Sequence, residues 1–406
     1  MCTWTASAVI DYFNSRGSAV YGCAMDLSKA FDMVNWKELF LILRRRGVDP
    51  IFLRVLIFIY RNQKCNVKWN SSYSQHFSVR NGVRQGAVSS PILFSVYIND
   101  LLLLLKQAGL GCHVGTFFLG CLGYADDLLL LSASRSGLQA MVNICENFMK
   151  KKNLKFSTHP DAAKSKTKCI VFSKKSKDLR NISPIFLNEN PLPWVQQVKH
   201  LGNILQNDNS MKIDCTIKRG RYIGKVNSLL QEFHFVSPKV KMKLLTIFAT
   251  SFYGSCLWDL QSSECDRIFK SWNVTVRNVF GVPPTTHRYL VEPLAGTPHV
   301  KTMLASRFLK FKQTLYTSNK LMVGLMARIA AEDRRTVMGR TLARLQSELN
   351  GMELTCGNLR KNLKYFPVPD NEVWRLGFLD DLLVADPKEI IGDITADDLN
   401  QMIRIL

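Results

Sequence analysis

The segment LGCLGYADDLLLLSAS, residues 119–134, places two adjacent aspartates, Asp126 and Asp127, inside an otherwise apolar run. An unpaired charge in a buried strand costs several kcal/mol, so one continuous buried strand is a poor interpretation of this segment. Two short apolar strands joined at the aspartates fit better, and they put both carboxylates in the turn of a hairpin. Aspartate is common in turns, so the pair alone does not specify a function.

A third aspartate ends another strand-like segment. SAVYGCAMD, residues 18–26, alternates small and apolar residues and ends at Asp26, and residues 27–47 follow with helical periodicity. An aspartate between a strand and a helix is often a helix N-cap. Alternatively, if the two strands are neighbours in one sheet, Asp26, Asp126 and Asp127 converge at one edge. They can then hold two metal ions for phosphoryl transfer.

The rest of the chain predicts mixed helices and strands. Apolar spacing predicts helices over residues 49–62, 90–109 and 136–154. Turn residues and alternation predict a hairpin over residues 64–82 turning at Asn70 to Ser72, a strand within 168–175, a hairpin turning at Asn188 to Pro191, and strands within 197–206. From about residue 210 onward the pattern is mostly helical.

Charge indicates the kind of partner. The chain has 54 Lys and Arg against 32 Asp and Glu, a formal net charge of +22, which favours a polyanion. Residues 370–406 depart from this, with nine acidic and three basic side chains. At 406 residues, more than one packed subdomain is expected.

The compartment is predicted from cysteines and apolar runs. Eleven cysteines occur without CxxC spacing or a Cys/His cluster, as expected for free thiols in a reducing compartment. The N-terminus lacks a secretory signal pattern, and no apolar run reaches the roughly 20 residues of a membrane span. We expect an intracellular protein of nucleus or cytoplasm, not secreted and not in a membrane.

Five segments carry a family resemblance. They are AMDLSKAFDMVNW (24–36), NGVRQGAVSSPILFSVYIND (81–100), GYADDLLLL (123–131), KSKTKCIVF (164–172) and VKHLGNIL (198–205). In order and separation they resemble the palm motifs of reverse transcriptases, most closely those of non-LTR (LINE-type) retrotransposons. The resemblance implies an α+β fold: a right-hand polymerase palm, with helices packed on an antiparallel sheet, followed by a mostly helical thumb and C-terminal region.

The resemblance covers about residues 5–206 and implies a domain plan. A reverse transcriptase palm occupies residues 1–208, a thumb-like helical region 209–300, and a helical C-terminal region with the acidic tail 301–406. The implied activity is that of an RNA-directed DNA polymerase, a nucleotidyltransferase that uses an RNA template, a DNA primer and dNTPs.

The resemblance also implies roles for the three aspartates and for Phe31. Asp26, Asp126 and Asp127 match the catalytic residues that bind two Mg²⁺ ions, with Mn²⁺ as an alternative. Phe31 matches the aromatic residue that excludes a ribose 2′ hydroxyl. Without the family match, Phe31 is better interpreted as a core aromatic of its own helix.

The remaining matched residues lie in the later motifs. Gln85 and Gly86 match nucleotide-binding positions, although this segment also fits a loop leading into a helix with proline in its first turn. Lys166 matches the lysine near the triphosphate, and a solvated basic loop is the equal alternative because the usual Asn-x-x-Lys-Thr spacing is broken. His200, Leu201 and Gly202 match the primer grip; His200 also fits a partly exposed strand residue.

One expectation concerns what the chain lacks. The family's fingers motifs precede the first aspartate by more than the 25 residues found here, and no endonuclease segment is recognisable. We therefore expect a partial copy of a larger protein. The rival hypothesis is a truncated, catalytically inactive remnant that at most binds nucleic acid non-specifically. A basic nucleic-acid-binding protein of other ancestry would leave the ordered motifs unexplained.

Overall fold

The computed structural model describes residues 1–159, 161, 164–175, 182–350 and 352–362. The chain divides into two compact units. The sheet unit comprises Cys2–Leu201 and Leu205–Asn209, and the helical unit comprises Met1, Gly202–Ile204 and the described residues from Ser210 onward. The acidic tail, residues 370–406, lies outside the described residues.

The strands of the described residues all lie between residues 20 and 206. They are β1 Val20–Asp26, β2 Lys64–Cys65, β3 Lys68–Trp69, β4 Ser72–Tyr73, β5 Phe77–Ser78, β6 His113–Val114, β7 Phe117–Phe118, β8 Cys121–Tyr124, β9 Asp127–Ser132, β10 Lys168–Phe172, β11 Ile185–Leu187, β12 Asn190–Leu192, β13 Trp194–Val195, β14 Gln197–His200 and β15 Asn203–Gln206. The helices of the sheet unit are α1 Cys2–Asn14, α2 Trp36–Arg45, α3 Pro50–Arg61, α4 Ser90–Gln107 and α5 Arg135–Lys151.

A five-stranded sheet forms the centre of the sheet unit, with strand order β13-β10-β1-β9-β8. β1 pairs antiparallel with both β9 and β10, so it is the middle strand. Leu128 to Leu131 of β9 are all buried, which means that both faces of this strand are covered. Helices α4 and α5 contribute Phe94, Tyr97, Leu101 and Met141 to the same core. The sheet is therefore a rigid base for residues at its edge.

Most predicted elements of this unit are confirmed. The helices predicted over residues 49–62, 90–109 and 136–154 correspond to α3, α4 and α5. The hairpin predicted to turn at Asn70 to Ser72 consists of two nested strand pairs, β2 with β5 and β3 with β4. The hairpin predicted to turn at Asn188 to Pro191 consists of β11 and β12.

The helix predicted over residues 27–47 is wrong for its first nine residues, 27–35. Helix α2 begins only at Trp36, after Asn35, whose side chain accepts a hydrogen bond from the Glu38 N–H. The residues before it form turns: Leu27 bridges Phe156, and Lys29 has a φ of +49°. Apolar residues in this stretch contact other segments of the chain and do not line one face of a helix.

The helical unit confirms the prediction of a mostly helical segment after residue 210, within its described part. Its helices are α6 Lys212–Glu232, α7 Pro238–Phe248, α8 Ser263–Phe280, α9 Val291–Ala295, α10 Val300–Tyr316, α11 Leu321–Glu332, α12 Val337–Glu348 and α13 Cys356–Asn362, with 3₁₀ turns at Ser255–Leu257 and Arg288–Leu290. Trp258 and Trp272 are fully buried in its core.

These elements confirm the α+β class. Within the part of the chain that the structure describes, every helix is too short or too polar to span a bilayer.

Candidate active site

The three aspartates meet at one edge of the five-stranded sheet. In the antiparallel pairing of β1 with β9, Asp26 lies directly opposite Asp127. In the β8–β9 hairpin, Tyr124 pairs with Asp127, which leaves Ala125 and Asp126 as a two-residue turn. The prediction that both carboxylates lie in the turn is therefore right for Asp126 and wrong for Asp127, which is the first residue of β9. The two strands are thus neighbours, as the metal-site interpretation requires.

The turn that carries Asp126 is tight and strained. Ala125, its first central residue, has a φ of +53°, and a non-glycine residue in this region costs roughly 1–3 kcal/mol. Positive φ at this position is typical of the type II′ hairpin turn, whose twist matches the flanking strands. The ladder of β8 and β9 therefore holds the turn in shape.

The neighbouring carboxylates shift the titration of Asp127. Burial raises the pKa of Asp127, and the neighbouring charges of Asp126 and Asp26 raise it further. The positive charge of Lys199 partly opposes this shift. Negative charge is therefore concentrated at this edge beyond what the nearby lysines neutralise, and a cation bound there would be stabilised.

Lys166 lies beside the first of these aspartates. Its Nζ is 3.7 Å from Oδ2 of Asp26, and its side chain is 70% exposed. An exposed pair of this kind contributes about 1 kcal/mol or less, so the ammonium group exchanges readily between Asp26 and another anion. The neighbouring Thr167 is better anchored, because its Oγ1 accepts a hydrogen bond from the Asp26 N–H at 3.4 Å.

The three carboxylates fit a metal ion that keeps part of its water shell. Among the described residues, no group of three or more His, Cys, Asp or Glu is arranged to hold a metal ion by itself. Mg²⁺ rarely needs such a cage, because it usually binds one or two carboxylates together with waters and substrate phosphates. Two or three carboxylates that repel each other at an accessible sheet edge fit that mode of binding.

Two backbone hydrogen bonds join the loop before α2, residues 27–35, to the loop before α4, residues 79–89. This contact between the two loops is called the clasp. The Val83 N–H donates to the Phe31 carbonyl at 2.7 Å, and the Gly82 N–H donates to the Val34 carbonyl at 2.9 Å. A Cβ on Gly82 would lie 2.9 Å from the Asp32 carbonyl oxygen, closer than real Cβ atoms approach. Glycine is therefore required at position 82 for the two loops to meet.

Phe31 is half-buried in this clasp. Its ring stacks on that of Phe94 in α4, with centroids 5.0 Å apart and an interplanar angle of 25°. It lies in a turn before α2 and not on a helix, but it does pack against the hydrophobic core, so the alternative of a core aromatic is wrong only in its helical placement. Stacking fixes the ring, and its partial exposure leaves part of its surface available to a ligand.

Gln85 and Gly86 lie on the exposed side of the same clasp. The Gln85 Nε2 donates to Oδ1 of Asp32 at 3.2 Å. Gly86 has a φ of +86°, and no atom lies within 4 Å of where its Cβ would be. Unlike Gly82, Gly86 borders open space, so backbone flexibility and room for a ligand are its distinguishing features.

The interpretation of His200 as a partly exposed strand residue is wrong in its exposure, because the side chain is buried and only 4% exposed. Its Nδ1 lies 3.1 Å from Oγ1 of Thr3, and burial lowers its pKa to about 4. The next two residues, Leu201 and Gly202, both have positive φ, +47° and +78°, and form a tight turn. His200 therefore anchors the strand that leads into this turn.

Sequence reasoning missed two residues of the site. Lys199 acts electrostatically on Asp127, and Asp32 orients Gln85. Strand alternation carries a signal for Lys199, because a buried His200 implies an outward-facing neighbour. The contact of Asp32 with Gln85 joins residues 53 positions apart and has no local signal.

Half of the chain matches a known protein family. The profile of the family described as "Reverse transcriptase (RNA-dependent DNA polymerase)" matches residues 2–205. Among curated proteins, the "Retrovirus-related Pol polyprotein from type-1 retrotransposable element R2" of Nasonia vitripennis is 29% identical over 174 residues, 43% of this chain and 16% of that protein. The corresponding R2DM polyprotein of Drosophila melanogaster is 28% identical over 173 residues, 41% of this chain and 16% of that protein.

A longer match extends past the sheet unit. The "Probable RNA-directed DNA polymerase from transposon X-element" of Drosophila melanogaster is 24% identical over 272 residues, 63% of this chain and 28% of that protein. The matches thus span less than a third of each of these three relatives. The solved structure of apo telomerase from Candida tropicalis has a TM-score of 0.38 at 12% identity, covering 80% of this chain and 56% of that one, too low a likeness to support a conclusion.

The family match covers the five segments singled out in the sequence, and the curated relatives include proteins of R2 and X-element retrotransposons. The predicted resemblance to a LINE-type reverse transcriptase is confirmed. Since the family profile covers half of its length, the chain belongs to the reverse transcriptase (RNA-dependent DNA polymerase) family.

Proposed function

We propose that this chain carries the active site of an RNA-directed DNA polymerase of a LINE-type retrotransposon. The single observation that supports this most is the register of the sheet, which sets Asp26 opposite Asp127 with Asp126 in the adjoining turn. In the proposed reaction the 3′ hydroxyl of a primer attacks the α-phosphate of a dNTP, and pyrophosphate leaves. The sheet unit then serves as the palm.

The reverse transcriptase family generally uses divalent metal ions. We assign Asp26, Asp126 and Asp127 as the residues that hold two Mg²⁺ ions, or Mn²⁺ in their place. When bound, the ions neutralise charge on the attacking and leaving oxygens. The raised pKa of Asp127 supports this assignment, because crowded carboxylates gain most from a nearby cation.

Lys166 is assigned to the leaving group. Its ammonium group is exposed, and its Nζ lies 3.7 Å from Asp26, which is close to where the triphosphate would bind. A flexible lysine there contacts the polyphosphate as a point charge and donates a proton to the departing pyrophosphate. The weak ion pair with Asp26 keeps the Lys166 ammonium group near the carboxylates but does not prevent it from contacting another anion.

The clasp of the two loops is assigned to nucleotide selection. Phe31, held by Phe94, presents a flat ring that excludes a hydroxyl at the ribose 2′ position. Gln85, oriented by Asp32, and Gly86, beside open space, are assigned to contacts with the nucleotide. Fixed orientation matters because misplacement of a reacting group by about 1 Å costs about 100-fold in rate.

The turn at His200 to Gly202 is assigned as the primer grip. The buried His200 acts by holding the strand, and backbone groups of Leu201 and Gly202 contact the primer. Helices within residues 209–300 are assigned to a thumb that holds the template and primer, and residues 301–406 are assigned to the C-terminal region.

Primer extension tests the proposal. The purified chain is incubated with an RNA template, an annealed DNA primer, dNTPs and Mg²⁺, and compared with the Asp126→Asn variant. We expect extension by the parent chain and a loss of about 1,000-fold or more in the variant. The matched control is Asp100→Asn, a surface aspartate of the same unit that pairs with Arg46 at 3.6 Å and should extend normally.

Two results would overturn the proposal. Equal extension by the parent chain and by Asp126→Asn would show that synthesis does not use this site. Absence of synthesis by the parent chain, with salt-sensitive oligonucleotide binding retained, would instead identify the inactive nucleic-acid-binding remnant.

A further inference from the structure

The β2–β5 hairpin, residues 64–78, protrudes from the sheet unit. Every residue from 66 to 78 is exposed, on both faces of the hairpin. The hairpin is held by two short strand pairs, in which Lys68 pairs with Tyr73 and Trp69 with Ser72. An isolated two-stranded ribbon is only marginally stable in water, so the exposed side chains of residues 66–78 are available for contact with a ligand.

Aromatic side chains occupy this hairpin. Trp69, next to the turn, is 77% exposed, and Tyr73 and Phe77 are also exposed. Trp69 and Tyr73 lie in neighbouring, non-paired positions, so their rings lie on opposite faces of the ribbon. By contrast, Trp4, Trp258 and Trp272 are buried. Exposed aromatic rings of this size offer flat surfaces on which bases stack.

The charge around the hairpin selects the class of ligand. Residues 50–99 contain six Lys or Arg and no Asp or Glu. Two of the six, Lys64 and Lys68, lie in the hairpin, and Nζ of Lys68 lies 5.5 Å from the centre of the Tyr73 ring. Lysine is depleted at protein–protein interfaces, whereas interleaved cations and aromatic rings are typical of single-strand binding.

We infer that the β2–β5 hairpin is a binding site for single-stranded nucleic acid, in which the strand passes over the turn, stacks one base on Trp69 on one face and another on Tyr73 on the other face, and contacts Lys64 and Lys68 through its phosphates. Duplexes are excluded as the main ligand because their bases are already stacked on each other. The inference goes beyond the proposed polymerase activity, since it concerns binding at residues outside the catalytic edge. RNA and DNA strands share this chemistry.

The test measures oligonucleotide binding to the full chain. Single-stranded RNA, single-stranded DNA and a blunt duplex, each about 12 nucleotides long, are titrated while fluorescence anisotropy and tryptophan quenching are followed. We expect both single strands to bind more tightly than the duplex and to quench tryptophan emission. The tighter of the two single strands identifies the source of the natural ligand.

Substitutions locate the site. Trp69→Ala should weaken single-strand binding by about 5-fold to 150-fold, the range of one base stack. Trp69→Phe should retain most of the affinity and lose the quenching, which separates stacking from misfolding. Phe58→Ala, which removes a 68% exposed aromatic from α3 of the same unit, should change neither. Lys68→Ala should reduce the slope of log affinity against log salt by about 0.7.

Unchanged affinity in Trp69→Ala, or equal affinity for the duplex, would overturn the inference. Loss of self-association in Trp69→Ala, with no change in oligonucleotide affinity, would overturn it in favour of a protein contact. Failure of the polymerase proposal is distinguishable, because Asp126→Asn should bind the oligonucleotides normally. A chain that binds through Trp69 but extends no primer would leave this inference intact.

Discussion

Nζ of Lys218 lies 2.8 Å from Oδ2 of Asp214, and both side chains are less than a tenth exposed. The same Nζ donates to Oδ1 of Asn203, and Nε1 of Trp258 donates to Oδ2 of Asp214, each at 2.8 Å. The Ile204 N–H donates to the other carboxylate oxygen at 3.1 Å. A buried ion pair thus anchors the start of β15 within the helical unit.

Removing one partner of this pair should be costly. We expect Lys218→Met to lower the free energy of unfolding by about 3–5 kcal/mol, because Asp214 is left buried without its cation. The double variant Lys218→Met with Asp214→Asn should recover part of the loss. Urea unfolding measures both, and Arg344→Met, which removes a mostly exposed cation paired with Glu348, should cost about 1 kcal/mol or less. A single-variant cost as small as this control would contradict the prediction.

The clasp between the two loops predicts a contrast between two glycines. Gly82→Ala should be destabilising by about 2–4 kcal/mol, because its Cβ would collide with the Asp32 carbonyl as well as straining a φ of +88°. Gly86→Ala has nearly the same φ but no atom within 4 Å, so only the strain of roughly 1 kcal/mol applies. Thermal or urea unfolding of the two variants compares them directly, and equal costs would show that the close approach at Gly82 is not decisive.

The raised pKa of Asp127 predicts that the stability of the fold depends on pH. Its pKa in the folded chain is raised, so the folded state holds the proton more tightly than the unfolded state. Its contribution to stability is therefore full below the unfolded pKa of about 3.9 and lost as pH rises through the folded pKa. In metal-free buffer, Asp127→Asn should melt at a higher temperature than the parent chain at pH 7, with the difference shrinking towards pH 4.

Addition of Mg²⁺ should affect the melting temperatures of the parent chain and of Asp127→Asn differently. Mg²⁺ should raise the melting temperature of the parent chain at pH 7 and raise that of Asp127→Asn less, because binding to the folded state alone adds stability. A variant that melts lower than the parent chain in metal-free buffer at pH 7 would contradict the repulsion among the three carboxylates.

Phe31 predicts a change in sugar selectivity. Phe31→Ala should raise the ratio of kcat/KM for ribonucleotides over deoxynucleotides by about 10-fold to 100-fold, because space opens beside the 2′ position. Single-nucleotide primer extension with dNTPs and NTPs measures the ratio. Phe94→Leu, which removes the ring that supports Phe31, should raise the ratio less. An unchanged ratio in Phe31→Ala would remove Phe31 from nucleotide selection.

The parts of the fold that follow local rules were predictable from the sequence. Alternation located β1, the two aspartates that interrupt an apolar run located the β8–β9 hairpin, and helical spacing located α3, α4 and α5. The pairing of β1 with β9 required the family resemblance or the structure, because strands about a hundred residues apart leave no local signal. Roles of the site residues stay predictions.

The remaining features depend on tertiary packing. Leu27 to Val34 have helical spacing but form turns, since the Leu27 bridge and the Gly82 contacts compete successfully with a helix. Asp214 and Lys218 appear in the sequence as an ordinary pair four residues apart on a basic helix. Their burial depends on Trp258 and Asn203, which approach from other segments.

The two-residue turn at Ala125 and Asp126 joins two strands whose register matters as much as the residue types in the turn. Side chains of a strand alternate between faces, so a one-residue shift in the register of β9 against β1 would turn Asp127 to the opposite face and move its carboxylate away from Asp26. Substitutions at Ala125 alter strain, and glycine would relieve it. A shift in register would instead separate Asp127 from Asp26 while leaving all three aspartates present in the chain.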